Sequence, residues 1–272
     1  MKIYISADME GITGVCHGEH TMRSGREHER ARELMTGEVN AAVQGAMDAG
    51  ATEVIVNDSH GTMRNIIPEL LHKDAYLITG SPKHLSMMQG VDAECEGVIF
   101  VGYHARMGVP GVLSHTYDSS TVFNVRLNGQ LVGEAALNAM VASHYGVPII
   151  MLTGDKAAVE DSREVLGDFV GVAVKEAATR YSVKGVHPDK ACEMIREGAK
   201  EAVMRRKEFK PFGVEKPITI EMEFLQSGMA DMAEVIPGAV RVDGRKVAFT
   251  SDSPIQIYKA FRAMVTLAGS VL

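Results

Sequence analysis

The sequence has little of what a secreted, membrane or nucleic-acid-binding protein needs. Its 272 residues include three cysteines, Cys16, Cys95 and Cys192, with no CxxC pair, so we expect no disulfide framework and a reducing, cytoplasmic setting. No apolar run approaches the roughly 20 residues of a membrane span. The opening MKIYISADMEG carries acids where a signal peptide has an apolar segment. The net charge of -7 leaves no basic surplus for neutralising nucleic-acid phosphates.

Several catalytic motifs are absent as well. No GxSxG segment occurs, which argues against a Ser–His–Asp hydrolase built on SHTYD at 114–118. No GxGxxG follows the first apolar run, and there is no Walker motif, so a glycine-rich phosphate loop is not expected. The composition is 46% hydrophobic and 23% charged, as in ordinary globular proteins. These features fit an enzyme that acts on small molecules.

Apolar runs and helical patterns alternate through the first half of the chain. The runs predict strands at 2–6, 53–58, 75–80, 96–105 and 147–154, and the spacing of apolar residues predicts helices at 26–49, 64–73 and 134–145. Strands separated by helices are typical of a parallel sheet. We therefore predict an α/β fold, with a mainly parallel sheet that has helices on both faces.

The second half of the chain has a more mixed pattern. The pair Asn128-Gly129 lies between two β-rich runs and predicts a hairpin within 121–133. Further on, the pattern predicts helices at 155–166, 188–206 and 254–268, and strands at 218–224 and 239–251 with a turn at Asp243-Gly244. We predict an α/β metal-binding domain at 1–155 and a smaller mixed α+β domain at 156–272.

Carboxylate and imidazole side chains follow the predicted strands. Asp8 and Glu10 follow the first strand, His60 the second, His104 the fourth, and Glu134 the hairpin. Because ligands of open parallel sheets bind beyond the carboxyl ends of the strands, these side chains could meet at one rim. Both groups are ligands of zinc and related metals, and paired metals usually share a bridging carboxylate.

Asp8 and Glu10 occupy alternate residues, and Gly11 follows them directly. If the strand geometry persists, both carboxylates point the same way. Gly11 would then let the backbone turn away from the site.

Each of these residues also has a structural alternative. Asp8 or Glu10 could cap a helix or be a solvated loop charge. The segment DSHG, which contains His60, could be a turn in which Asp58 and Ser59 cap the next segment. His104 could be a hydrogen-bonded histidine at the rim, and Glu134 could favour a helix start. His115 lies in the loop after the fourth strand and has three open roles: a further ligand, a general acid or base, or a transition-state donor.

Taken together, the motifs resemble the M55 peptidases, a family of D-aminopeptidases. SADMEG at 6–11 matches the family signature SxDxEG. The other matching segments follow in order: NDSHG at 57–61, GYHA at 102–105, LSHTYD at 113–118 and NG…VGE at 128–134. The resemblance covers the whole chain, and an ordered set is far more specific than any single motif.

The resemblance implies a dinuclear zinc aminopeptidase that releases N-terminal D-amino acids, D-Ala in particular, from short peptides. It makes Asp8 the bridging ligand and His115 the catalytic residue. The remaining implied zinc ligands are Glu10, His60, His104 and Glu134. It also implies a homo-oligomer, a decamer of two stacked pentameric rings.

Two other functions remain open from the residues alone. A dinuclear metal phosphoesterase uses the same ligand types, and it would need basic residues near the metals, for which Arg64 and Arg106 are the candidates. A non-catalytic metal- or peptide-binding protein of an uptake system would bind without turnover, and we would expect it to carry an export signal.

Overall fold

The chain forms two sheets and seven α-helices. The computed structural model describes residues 1–272. The strands are β1 (Lys2–Ala7), β2 (Glu53–Asp58), β3 (Ala75–Ile78), β4 (Cys95–Tyr103), β5 (Val122–Leu127), β6 (Gln130–Leu131), β7 (Ile149–Asp155), β8 (Val170–Thr179), β9 (Ser182–Gly185), β10 (Ile218–Phe224), β11 (Ala239–Asp243) and β12 (Lys246–Ser251). The helices are α1 (Gly18–Thr21), α2 (His28–Asp48), α3 (Glu134–His144), α4 (Lys156–Leu166), α5 (Pro188–Met204), α6 (Ser227–Ala233) and α7 (Pro254–Gly269).

The larger sheet has seven strands in the order β3-β2-β1-β4-β7-β8-β9. All neighbours are parallel except β8 and β9. The chain adds β2 and β3 on one side of β1 and then returns to place β4 on the other side. The direction of strand addition therefore reverses between β1 and β4, and open α/β sheets bind ligands at such a switch point.

The central strands β1, β4 and β7 are buried on both faces, which explains their nearly continuous apolar sequences. Ile3 and Ile5 of β1 belong to a core with residues of α2 and α5. Tyr4 of β1 and Phe100 of β4 face the opposite side, into a core shared with α3, α7 and the second sheet. The two-residue period of a strand assigns alternate side chains to these two cores.

The second sheet has five strands in the order β11-β12-β10-β5-β6. Its β5–β6 hairpin turns at Asn128 and Gly129, whose φ angles of 47° and 85° are those of the turn that the Asn-Gly pair favours. Strand β10 alternates between buried and half-buried residues, as expected for a sheet with one face on a core. After the hairpin, the chain enters α3 at Glu134.

The predicted fold class is confirmed, and so is the hairpin. The helix predicted at 64–73 is wrong, because only a short 3₁₀ turn forms, at Pro68–Leu70. Pro68 lies inside that segment, has no backbone N–H for a helical hydrogen bond and disfavours helical geometry in Ile67, which is extended. The backbone N–H groups of Asn65 and Ile66 donate to the carboxylate of Asp58, across 2.5 and 2.8 Å. Strands β8 and β9 and helices α1 and α6 lie in segments for which no element was predicted.

The division into domains at residues 155 and 156 stays a prediction. Sheet membership does not change at that position, since β5 and β6 precede it and lie in the second sheet, whereas β8 and β9 follow it and lie in the first. None of the helices has the length and apolar character required to cross a bilayer.

Candidate metal centre

The six candidate residues meet at the carboxyl-terminal edge of the larger sheet. Asp8 and Glu10 follow β1, His60 follows β2, and His104 follows β4. Glu134 begins α3 and reaches the same place from the second sheet. With His115 they surround a cavity of about 140 Å³, which five of the six line directly, while His104 lies behind them. This is the rim that the sequence predicted.

Asp8 lies between two histidines and presents a different carboxylate oxygen to each. Its Oδ1 lies 3.2 Å from Nδ1 of His60, and its Oδ2 lies 3.5 Å from Nε2 of His104. Glu10 approaches the same Nδ1 of His60 at 3.0 Å. Asp8 therefore occupies the position between the two halves of the cluster.

The other half consists of His104, His115 and Glu134. Oε1 of Glu134 lies 3.2 Å from Nε2 of His104 and 3.8 Å from Nε2 of His115. The two imidazole rings are stacked, with centroids 4.1 Å apart and planes 5° from parallel. The ligand atoms of these three residues lie close enough together to hold one metal ion.

Each of the three histidines has one ring nitrogen against a backbone carbonyl. Nε2 of His60 lies 2.9 Å from the oxygen of Thr21. Nδ1 of His104 lies 3.0 Å from that of Ala105, and Nδ1 of His115 lies 2.8 Å from that of Leu113. An N–H donated to each carbonyl fixes the tautomer, so that the other nitrogen presents its lone pair to the carboxylates. Metal-binding histidines are commonly oriented in this way.

The residues present fit a metal centre. Nε2 of His104 is buried and has no hydrogen-bond partner, although two carboxylates surround it. An orphaned imidazole nitrogen among buried carboxylates is costly unless a cation completes the arrangement. Imidazole and carboxylate without thiolate suit zinc and neighbouring divalent ions.

The electrostatics of the cluster agree with this fit. Burial raises the pKa of Asp8, and the neighbouring charge of Glu10 raises it further. Burial alone would lower the pKa of His60, but Glu10 and Asp8 raise it well above its usual value. Burial also lowers the pKa of His104, but nearby carboxylates, Glu134 above all, raise it well above its usual value. The carboxylates thus attract positive charge strongly at this position.

The turn after β1 corrects one expectation. Strand geometry does not persist to Glu10, because β1 ends at Ala7 and the N–H of Ile12 donates to the carbonyl of Met9 in a turn. The turn, rather than the strand period, brings the two carboxylates to the same cavity. Gly11 has ordinary backbone angles but packs against β4, where a Cβ atom would lie 2.1 Å from the carbonyl oxygen of Tyr103.

Sequence reasoning missed several residues that hold or line the site. The backbone N–H of Tyr117 donates to Oε1 of Glu134 across 2.7 Å, and Tyr117 lies within the quoted segment LSHTYD, which offered a signal. Lys175 donates to the turn that carries Glu10, and Arg262 lines the cavity. The last two lie far along the chain and have no local motif.

Arg64 and Arg106, the two candidate basic residues of a phosphoesterase, do not line the cavity. Arg64 is exposed. Arg106 forms an ion pair with Asp161 at 3.2 Å.

Comparison with known proteins identifies the family. The family model described as "Peptidase_M55: D-aminopeptidase" matches residues 1–263. The chain belongs to the M55 family of D-aminopeptidases. Among relatives of this family, the D-aminopeptidase of Bacillus subtilis (strain 168) is 38% identical over 272 residues, covering 98% of each chain.

A solved structure also matches the fold closely. It is that of the Zn-dependent D-aminopeptidase DppA from Bacillus subtilis, a self-compartmentalizing protease, with a TM-score of 0.96 and 37% sequence identity. The match covers 99% of this chain and 98% of that chain. Family membership, predicted from the ordered motifs, is confirmed.

Proposed function

We propose that this chain is a zinc-dependent aminopeptidase that removes N-terminal D-amino acids, D-Ala among them, from short peptides. Its family, its 38% identity to a D-aminopeptidase and its similarity to a Zn-dependent D-aminopeptidase support this function. One observation of the site carries the proposal: the two oxygens of Asp8 face two different histidines. Asp8 is therefore suited to bridge two ligand sets.

The proposed centre holds two zinc ions per chain. Asp8, Glu10 and His60 form one ligand set, and Asp8, His104 and Glu134 form the other. Two-metal hydrolytic sites have a bridging carboxylate and further ligands on each ion. The contacts of 3.0–3.5 Å among these side chains support that division.

When bound, zinc supplies Lewis-acid polarisation of the scissile carbonyl and activates water for attack. The chain supplies the proton transfers. His115 keeps Nδ1 against the carbonyl of Leu113, at 2.8 Å, so its Nε2 is the atom that can take and return a proton at the cavity. We assign it the transfer to the leaving amine. The stacked ring of His104 holds the His115 imidazole in that orientation.

The oligomeric state of the protein is also part of the proposal. We infer a homo-oligomer, because the similar structure is that of a self-compartmentalizing protease, and we propose a decamer of two stacked pentameric rings because the family resemblance implies it. Exposed apolar side chains on the second sheet and beside it, Leu225, Val235, Val240 and Val242, are suited to a subunit interface. The mass in solution by analytical ultracentrifugation tests this inference. A cytoplasmic location stays a prediction from the sequence.

The main test combines metal content with stereospecific activity. We expect two zinc ions per chain by elemental analysis, and cleavage of D-Ala-D-Ala but not L-Ala-L-Ala. p-Nitrophenyl phosphate serves as the third substrate, because a phosphoesterase would hydrolyse it. A protein that holds no zinc and gains no D-peptide cleavage when zinc is added would contradict the proposal.

A substitution of His115 separates catalysis from metal binding. His115→Ala should lower kcat by at least about 100-fold, as expected for loss of an acid–base group, and should keep the wild-type zinc content. His144→Ala, which removes an exposed histidine at the end of α3, is the matched control. Loss of zinc from the His115 variant would place His115 among the ligands instead.

A further inference from the structure

Arg262 is the one lysine or arginine among the residues that line the cavity of the metal centre. It lies on α7, more than a hundred residues beyond the last candidate ligand in the chain. The other ionisable groups around the cavity are the carboxylates of Asp8, Glu10 and Glu134, the imidazoles of His60 and His115, and the phenol of Tyr117.

The guanidinium group of Arg262 has no carboxylate partner. It is absent from the ion pairs of the chain, in which eleven other lysines and arginines take part. Its Cζ lies 4.8 Å from the centroid of the Tyr117 ring, in a cation–π arrangement. This contact leaves the N–H groups at the edge of the guanidinium free to donate.

The position of Arg262 is well fixed for a side chain without an ion pair. Tyr117 packs edge-on against Phe261, the preceding residue of α7, with ring centroids 4.7 Å apart. It also hydrogen bonds through its hydroxyl to Tyr258, one turn earlier on the same helix. The backbone of Tyr117 is in turn bonded to Glu134. Tyr117 thus contacts Arg262 through its ring and Glu134 through its backbone N–H.

An anionic substrate group would need such a cation here. The three carboxylates that line the cavity are the proposed zinc ligands, so the bound ions would offset their charge and would act at the scissile bond. Arg262 is then the remaining cation at the cavity that can receive a substrate carboxylate. Arginine presents a planar fork of donors that matches a carboxylate in a bidentate geometry. In a dipeptide the C-terminal carboxylate lies one residue beyond the scissile carbonyl, and consecutive Cα atoms are about 3.8 Å apart. A small cavity of about 140 Å³ keeps both groups close together.

We propose that Arg262 binds the C-terminal carboxylate of dipeptide substrates and makes the enzyme favour dipeptides with a free C-terminus. The inference rests on the proposed aminopeptidase function and identifies its substrate class more narrowly. Arg262 is a binding residue in this account, and the bond is cleaved at the metal centre.

The test compares D-Ala-D-Ala with its C-terminal amide, which has the same shape and lacks the negative charge. The wild-type enzyme should show a kcat/KM at least about tenfold higher on the free acid, as expected for one hydrogen-bonded ion pair. Arg262→Gln should reduce kcat/KM on the acid by about 10- to 100-fold, mainly through KM. On the amide its kcat/KM should stay within about threefold of the wild-type value. Arg262→Lys should retain part of the preference, since it keeps the charge without the fork.

Lys259→Gln is the matched control, because it removes one positive charge from an exposed position on the same helix. Lys259→Gln should leave kcat/KM unchanged on both the free acid and the amide. Equal losses on the acid and the amide for Arg262→Gln would overturn the role of Arg262, and so would an unchanged preference for the acid. If Arg262→Gln unfolds, an unchanged acid preference in Arg262→Lys, with unchanged KM, would overturn it. Failure of the wild-type protein to cleave either peptide would instead overturn the proposed function.

Discussion

The buried ammonium group of Lys175 donates a hydrogen bond to the backbone carbonyl of Glu10, with Nζ and O 2.5 Å apart. The same nitrogen donates to the carbonyls of Ile12 and Val15 at 2.7 and 2.5 Å. Lys175 lies on β8 and is 3% exposed, and burial lowers its pKa to about 8. One lysine thus holds the whole turn that carries Glu10 to the metal centre.

Replacement of this lysine should loosen that turn. Lys175→Met leaves three carbonyls without their donor, and each buried unpaired group costs about 1–3 kcal/mol. We expect the free energy of unfolding to fall by at least about 2 kcal/mol, and zinc retention during dialysis to fall as well. Urea unfolding and elemental analysis measure the two effects. Lys184→Met, on an exposed residue of the neighbouring strand β9, is the control. A variant with normal stability and zinc retention would contradict this role.

The buried carboxyl of Glu38 should make the stability of the protein depend on pH. Its Oε1 accepts from the N–H of Thr13 at 2.7 Å and its Oε2 has no partner. Burial raises its pKa to about 7, against the lowering effect of Thr13 and Lys175. A carboxyl whose pKa is higher in the folded state holds its proton longer there than in the unfolded chain. Its contribution to stability is therefore full below its ordinary pKa and is lost as the pH rises toward 7.

Glu38→Gln should remove this pH dependence. The amide oxygen can still accept from Thr13, and the amide does not ionise. We expect the stability of the variant relative to wild type to rise between pH 5 and pH 8, by roughly 2 kcal/mol. Urea unfolding of both proteins across that range measures the difference. A constant difference at every pH would show that Glu38 does not titrate there.

The backbone at Gly11, next to the candidate metal ligands, leaves no room for a side chain. A Cβ atom at this position would lie 2.1 Å from the carbonyl oxygen of Tyr103 and 2.6 Å from that of Gly102. Gly11→Ala should therefore separate the turn from β4 and lower both thermal stability and zinc content. Gly269→Ala, at the end of α7 where a Cβ meets nothing within 4 Å, should change neither. Normal zinc binding by the Gly11 variant would show that the turn can move without harm to the site.

Zinc removal should destabilise the protein, because the buried carboxylates lose the cation that compensates them. Binding to the folded state alone adds about 2.7 kcal/mol at a ligand concentration of 100 times Kd. We expect a chelator to lower the unfolding temperature and zinc to restore it. In Glu134→Gln, the chelator should lower the unfolding temperature by less than in wild type. In Glu33→Gln, which changes an exposed residue of α2, the shift in unfolding temperature should equal that of wild type. Equal unfolding temperatures with and without zinc would contradict a metal site in the folded protein.

Local patterns accounted for most of the fold. Strands β1, β2 and β10 were predicted within one residue, because their apolar runs are short and end at polar groups or turns. The segment at 64–73 was predicted wrongly, since Pro68 lies inside it and has no backbone N–H to donate in a helix. Strand β8 was missed, although it lies between β7 and β9 in the larger sheet and carries Lys175.

The candidate site also contains some residues that the sequence predicted and others that only the structure revealed. The five candidate ligands and His115 follow predicted elements or lie in ordered motifs, and the structure brings them to one rim. Their individual roles stay proposals. Arg262 and Lys175 had no comparable signal, because the local sequence around each does not indicate that Arg262 lines the cavity or that Lys175 contacts the turn that carries Glu10.

The sequence by itself determined the α/β class, the family and the kinds of ligand, since these depend on residue types and on spacing within short segments. Only the tertiary structure decided which oxygen of Asp8 faces which histidine, that a turn rather than a strand presents Glu10, and that Arg262 reaches the same cavity. Such contacts join residues far apart in the chain. They follow from the packing of whole strands and helices, which no short segment specifies.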